Sequence, residues 1–219
     1  MGRLRKMRAL AALAALASAA ALAQPVFDIG TGGNATITGT LNGSVTVNPS
    51  QRVLQVAVDF GELSPVNRNP MVRVSIPVTV RSEAAYQVVA QVASSGMSAS
   101  PDGMQLSDVG IGIINVRPLS AGQICTTPHT VYPPFNADPA LTALQTPRVA
   151  YPGNLSLLAN PRVVMTGPTL SSRRVNLNNP GANGWSFDLV LTVAPQFFVP
   201  GSSTATLVLT ISQGPNTPC

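Results

Sequence analysis

From Asn34 to Asn48 the chain reads NATITGTLNGSVTVN, with a polar residue at every even position and an apolar residue or glycine at every odd one. Alternation of this kind marks a β-strand with one buried face, because successive side chains point to opposite sides. Two readings stay open. In the first, a three-residue loop at Leu41-Asn42-Gly43, with Gly43 in the left-handed conformation, makes a hairpin that pairs Thr40 with Ser44 and puts Ile37, Gly39, Val45 and Val47 on one face. In the second, the stretch is one unbroken strand of about 50 Å, longer than a single domain ordinarily holds and suited to the open sheet edge of a neighbour. Ile37, Gly39, Leu41, Gly43, Val45 and Val47 then form an inter-subunit strand.

The same period recurs downstream. In RVLQVAVDF, Leu54, Val56, Val58 and Phe60 share a face, and in MVRVSIPVTVR so do Val72, Val74, Ile76, Val78 and Val80. Pro77 has no N–H to give a ladder, which predicts an edge or a bulge there. AYQVVAQVA follows after a short connection, predicting a hairpin with Tyr86, Val88, Ala90 and Val92 inward. VGIGIINV, WSFDLVLTV and TATLVLTI supply three more strands, with Trp185, Phe187, Leu189, Leu191 and Val193 inward in the second and Ala205, Leu207, Leu209 and Ile211 in the third. Pro200-Gly201 punctuates the turn between the last two. Residues 121–161 are rich in proline and lack a sustained period, so they read as a long loop region with room for one or two short strands. Short strands separated by turn signals predict an all-β, antiparallel sandwich. The ten aromatics are too few to furnish the two girdles of an outer-membrane barrel.

The N-terminus changes the electrostatics. Arg3, Arg5, Lys6 and Arg8 precede an Ala/Leu-rich run ending Ala21-Leu22-Ala23, the pattern of a secretory signal peptide cleaved after residue 23. The expected organisation is signal peptide 1–23, an N-terminal strand or hairpin segment 24–51, and a sandwich domain 52–219. Export places the protein in the periplasm, at the cell surface or outside the cell. Removing the four leading cations from the 13 basic residues leaves nine arginines against eight acids. They are scattered, which excludes a phosphate-binding stripe and nucleic acid as a partner. No second apolar run is long enough to span a membrane.

Candidate chemistry is sparse. Cys125 and Cys219 in an oxidising compartment are most economically read as a disulfide, which closes a loop of about 95 residues and stabilises by roughly 4 to 5 kcal/mol; free or intermolecular thiols are the other reading. The single histidine, His129, lies four residues after Cys125, yet a metal wants three or four ligands and this segment offers two. Asp59 and Glu62 flank Phe60-Gly61 and read as structural. There is no nucleophile-elbow or phosphate-loop motif, so neither a catalytic residue, a metal site nor a cofactor is expected. Tyr132, Phe135 and Tyr151, in the proline-rich loops, are candidates for an exposed recognition surface.

VDFGELSP, the following VRVSIPVTVRSEAAYQVVAQVASSG and the closing LTVAPQFFVPGSSTATLVLTIS resemble the spore-coat-U and fimbrial-subunit group of secreted β-sandwiches. The closing pattern also resembles the WxL type of surface domain, though Leu207-Val208-Leu209 stands where that type carries Trp-x-Leu. The fimbrial resemblance implies an immunoglobulin-like sandwich completed by a neighbour's strand, with a periplasmic chaperone and an outer-membrane usher as partners. The expected function is therefore a non-enzymatic structural subunit of a pilus, fimbria or coat, self-associating or joining a related subunit. A monomeric surface or periplasmic binding module using the 121–161 loops is the alternative.

Overall fold

The structure, a computed structural model, describes residues 25–27, 35–63, 72–82, 84–118, 129–139, 151–168, 184–194 and 198–215. The expected signal peptide, Cys125 and Cys219 lie outside them. The described chain is an antiparallel β-sandwich. One sheet contains β1 (Val26–Phe27), β2 (Thr36–Gly39), β5 (Val72–Arg81), β10 (Gly184–Val193) and β7 (Val109–Pro118), with β1 and β2 both on the outer edge of β5. The other runs β3 (Ser44–Pro49), β4 (Val53–Leu63), β11 (Gly201–Gln213), β6 (Tyr86–Gly96), β9 (Arg162–Gly167) and β8 (Thr130–Val131). Two single-turn 3-10 helices, Leu106–Asp108 and Leu155–Leu158, interrupt the loops.

The inward faces are those the alternation predicts. Leu54, Val56, Val58 and Phe60 are buried on β4, the five odd-face aliphatics of β5 on its strand, and Ala205, Leu207, Leu209 and Ile211 on β11. Each such side chain removed from water contributes about 1.5–3 kcal/mol before entropy is charged against it. Among the described residues four register shifts adjust the pleat. On β4, Glu62 faces Ser202 and Asp59 faces Thr204, so one residue of β4 is extra. The Asp59 carboxylate accepts a 2.8 Å hydrogen bond from the Gly61 N–H, and Gly61 takes a φ of 69°. The Asp-Phe-Gly triplet is thus a bulge that keeps Phe60 in the core.

Strand pairing departs from the expectation in one systematic way. From β4 to β8 each successive strand lies in the opposite sheet, so β5 and β6 do not form the expected hairpin, and β10 and β11 likewise lie in different sheets. Alternating strands define an inward face whichever sheet they join, and nothing local chooses the partner. Among the described residues the one tight hairpin is β3–β4, closed where Ser50 N–H donates to Val53 O at 2.7 Å and Val53 N–H to Ser50 Oγ at 3.2 Å.

The opening stretch takes neither of its expected forms. Residues 36–39 pair with Ser75–Val72 in one sheet, and residues 44–49 pair with Asp59–Leu54 in the other. It is a strand that changes sheets at Thr40–Gly43. The positive φ falls at Gly39 (93°), not at Gly43. Gly43 is required for a different reason: a Cβ there would stand 1.9 Å from the Asp59 carbonyl oxygen, because the crossover lies against the β4 bulge. Pro77 is exposed at the outer edge of β5, between the residues paired with β1 and those paired with β2.

Gly43→Ala should therefore destabilise by about 2 kcal/mol or more, since the blocking atoms are backbone. Gly201→Ala, with nothing within 4 Å of its Cβ position, should change stability by less than about 0.5 kcal/mol. Urea midpoints of the two variants check this; equal values would mean the crossover is not packed against the bulge.

Candidate functional site

The edge of the sandwich beside β7 and β9 is closed by two loop segments. Residues 132–139 leave β8 with Tyr132 N–H donating to Val164 O at 2.9 Å, turn so that Phe135 N–H reaches Tyr132 O at 2.9 Å, and then lie beside β7, where Ile113 N–H donates to Phe135 O at 2.8 Å. Ile111 N–H donates to Gly153 O at 2.9 Å from the second segment. Asn154 caps its 3-10 helix by accepting from Ser156 N–H and is itself buried. Arg73 on β5 pairs with Asp138 at 2.6 Å and ties the strap across the sheet.

This geometry separates the three loop aromatics. Phe135 is 0% exposed and belongs to the core, which corrects its assignment to an exposed surface: the strap hydrogen-bonds along β7, and its ring fills the open side of the sandwich. Tyr151 is half-buried against Gly110 and Pro139. Its phenol is pushed up to about 12, by burial first and by the Asp108 charge, with the backbone of Ala194 opposing. Only Tyr132 remains an exposed large hydrophobic, at 38%.

Tyr132 forms one wall of a groove of about 480 Å³ on the outer face of the six-stranded sheet. Its floor is set by register. Ser212 of β11, Gln87 of β6, Thr166 of β9 and Thr130 of β8 stand abreast across four strands, and directly opposed residues on neighbouring strands share a face. Gln87 Nε2 donates to Ser212 Oγ at 3.2 Å, and the Tyr132 hydroxyl lies 3.4 Å from Thr166 Oγ1. Of that row Gln87 and Thr166 line the groove; Arg162, Val163, Pro133 and Pro215 complete it, and the Arg162 guanidinium carbon stands 5.4 Å from the centre of the Phe135 ring. Sequence reasoning missed Gln87, Thr166 and Arg162. Each occupies an ordinary polar position of an alternating strand, and only the non-local register brings them together.

His129 lies at the end of the sandwich, between the two sheets. Its ring is 4.1 Å from that of Trp185 on β10 and 5.6 Å from that of Tyr86 on β6. Both imidazole nitrogens and the Tyr86 hydroxyl are buried without a hydrogen-bond partner. Burial holds the imidazole down at about 4 and pushes the Tyr86 phenol up. Among the described residues no group of three or more His, Cys, Asp or Glu could hold a metal ion. His129 thus stands where it packs as a neutral aromatic.

On the opposite edge, the residues of the expected inter-subunit strand divide. Ile37 is 43% exposed, whereas Leu41, Val45 and Val47 are partly buried and pack against the core. The fold and these surfaces define an antiparallel β-sandwich with a face groove and an edge sealed by its own N-terminal strands. No family model, curated protein or solved structure matches the chain. Among the described residues no helix is long and apolar enough to cross a membrane.

The unfolded chain protonates His129 near its ordinary 6.5, and the folded chain only near 4. Between these values the unfolded state binds the extra proton, so folding stability should fall as pH drops from 6.5 towards 4, by up to about 3 kcal/mol. His129→Phe should flatten that segment of the pH–stability curve. An unchanged slope in the variant would place the titration elsewhere. A second comparison tests the loop aromatics: Phe135→Ala should cost about 3–5 kcal/mol by thermal or urea unfolding, and Tyr132→Ala less than about 1 kcal/mol.

Proposed function

We propose that the chain is an exported, non-enzymatic structural protein of the cell surface, a pilus-, fimbria- or coat-like subunit that assembles by exchanging N-terminal strands with a neighbour. One observation carries the reading: a single segment, β1 to β3, occupies the outer edge of both sheets on the same side of the sandwich. All four residues of β2 are exposed, and β3 contributes only Val45 and Val47 to the core. Lifting this segment away breaks edge ladders and, apart from the buried Phe27 of β1, withdraws only partly buried side chains from the interior. What it does uncover, the edges of β5 and β4, are rows of backbone donors and acceptors that template another strand. A neighbour's copy in the same register restores every bond, which is the energetic condition for exchange between identical subunits. The leader-like N-terminus supports export, and bare edges before assembly would call for a chaperone and an usher.

The test uses a directly opposed pair on the β3–β4 ladder, Thr46 and Ala57. The mature chain carrying Thr46→Cys and Ala57→Cys, with Cys125 and Cys219 replaced by serine, is oxidised at assembly-competent concentration and run on a denaturing gel. Strand exchange predicts a covalent ladder of multimers that reductant collapses. Monomer alone, cross-linked within itself, would overturn the proposal.

The groove beside Tyr132 favours a second reading, a surface binding module. It is compatible with the first, because the groove and the N-terminal strands lie on opposite edges of the six-stranded sheet.

A further inference from the structure

The geometry points to the Tyr132 groove as a binding site for an acidic saccharide, one whose sugar ring carries a carboxylate. Four properties of the lining select this occupant. The floor carries the Gln87 amide and the Thr166 hydroxyl beside Val163, brought together by the sheet register and able both to donate and to accept. Vicinal sugar hydroxyls present the same mixture. The wall is the half-exposed ring of Tyr132, an apolar face for the C–H side of a pyranose, with Pro133 and Pro215 extending it.

Arg162 is the one charged residue of the lining, and among the described residues it has no carboxylate in ion-pair range. A guanidinium recognises a carboxylate with two parallel hydrogen bonds, so an acid on the ligand finds its counter-ion there. The volume, about 480 Å³, matches one or two sugar rings and lies within the usual range of small-ligand sites.

The same lining argues against other occupants. The groove opens on the face of the sheet, so an extended peptide cannot add to it as a strand. A proline-rich helix docks between several aromatics, and here there is one. A nucleic acid or a phosphate surface needs more than a single cation. A divalent metal needs carboxylates, and the lining has none.

The site is also pre-organised. Tyr132 is held by main-chain bonds to Val164 and Phe135 and rests its hydroxyl near Thr166, while Gln87 is fixed on Ser212. Binding then orders few side chains, which matters for an open groove with limited contact.

Calorimetry or NMR titration of the mature chain with a trimer of galacturonic acid, and with its methyl ester, tests the assignment near pH 7. The ester keeps the rings and hydroxyls and removes only the charge. Wild type should bind the acid at least about tenfold more tightly than the ester. Arg162→Gln should erase that difference while keeping weak binding of both, and Tyr132→Ala should abolish both with the thermal midpoint preserved. If Tyr132→Ala shifts the midpoint, Gln87→Leu, which removes the floor amide, should lower affinity for acid and ester alike. Equal affinity for acid and ester, competition by acetate as effective as the trimer, binding that survives Tyr132→Ala with its midpoint preserved, or no saturation would each overturn the proposal. None of these outcomes depends on whether the chain exchanges strands.

Discussion

The antiparallel ladders that β10 and β11 make on both of their sides hold this molecule together. β10 runs between β5 and β7, and β11 between β4 and β6, so every long strand of the sandwich is bonded to one of these two. β10 is also the most thoroughly buried of the long strands, and Phe187 and Leu189 on it, with Leu207 and Leu209 on β11, are among the least accessible residues. β4 to β7 therefore have no ladder partner near them in sequence, apart from the β3–β4 hairpin, until the chain returns. Loop-closure entropy must be paid before these contacts form, which is the situation in which β-proteins fold slowly and expose sheet edges meanwhile. On the proposed reading of an exported subunit, slow closure with open edges would give a holding partner a physical purpose.

Against that constraint, what could be read in the amino-acid sequence follows a simple line. The strands and their inward faces were legible, because alternation depends only on residues two apart: Leu54 to Phe60, Val72 to Val80 and Ala205 to Ile211 all point inward as expected. Pairing was not legible. Nothing between Arg81 and Tyr86 states that β6 joins the other sheet, and NATITGTLNGSVTVN contains no mark of a crossover beyond its glycines. Even those misled: Gly43 is glycine because the Asp59 carbonyl touches it, while the left-handed residue is Gly39. The face groove was half legible. Tyr132 stood out as a loop aromatic, but Gln87 and Thr166 become neighbours only through a register spanning β6 and β9.

Phe135 and His129 show how burial decides what a conspicuous residue means. Both sit in a proline-rich stretch that lacks period and reads as exposed loop. The stretch instead bonds along β7 through Ile113 and drives Phe135 into the open flank of the sandwich. A few residues earlier, His129 enters the gap between Tyr86 and Trp185, where neither ring nitrogen meets a partner. An imidazole without partners and held neutral by desolvation is a poor general base and a poor ligand. Its contribution is apolar contact bridging the two sheets, bought at a sensitivity to acid.

The two flanks of the sandwich are closed by irregular crossings of very different character, and the difference bears on what the protein does. At the β7–β9 flank the strap is anchored by a fully buried phenylalanine, main-chain bonds to β7 and the Arg73–Asp138 ion pair. Removing it would open a hole in the core. At the β4–β5 flank the closing segment leaves Ile37 in water and lends the interior Phe27, buried on β1, and the partly buried Ala35, Leu41, Val45 and Val47. Its hold comes mainly from backbone hydrogen bonds, and these are indifferent to which copy of the chain supplies the strand. A fold that needed both flanks closed only for its own stability would gain from anchoring both in the same way. In the proposed exchange the N-terminal flank, of which β2 is fully exposed, is the one that trades partners, while the strap beside β9 holds Tyr132 at the groove.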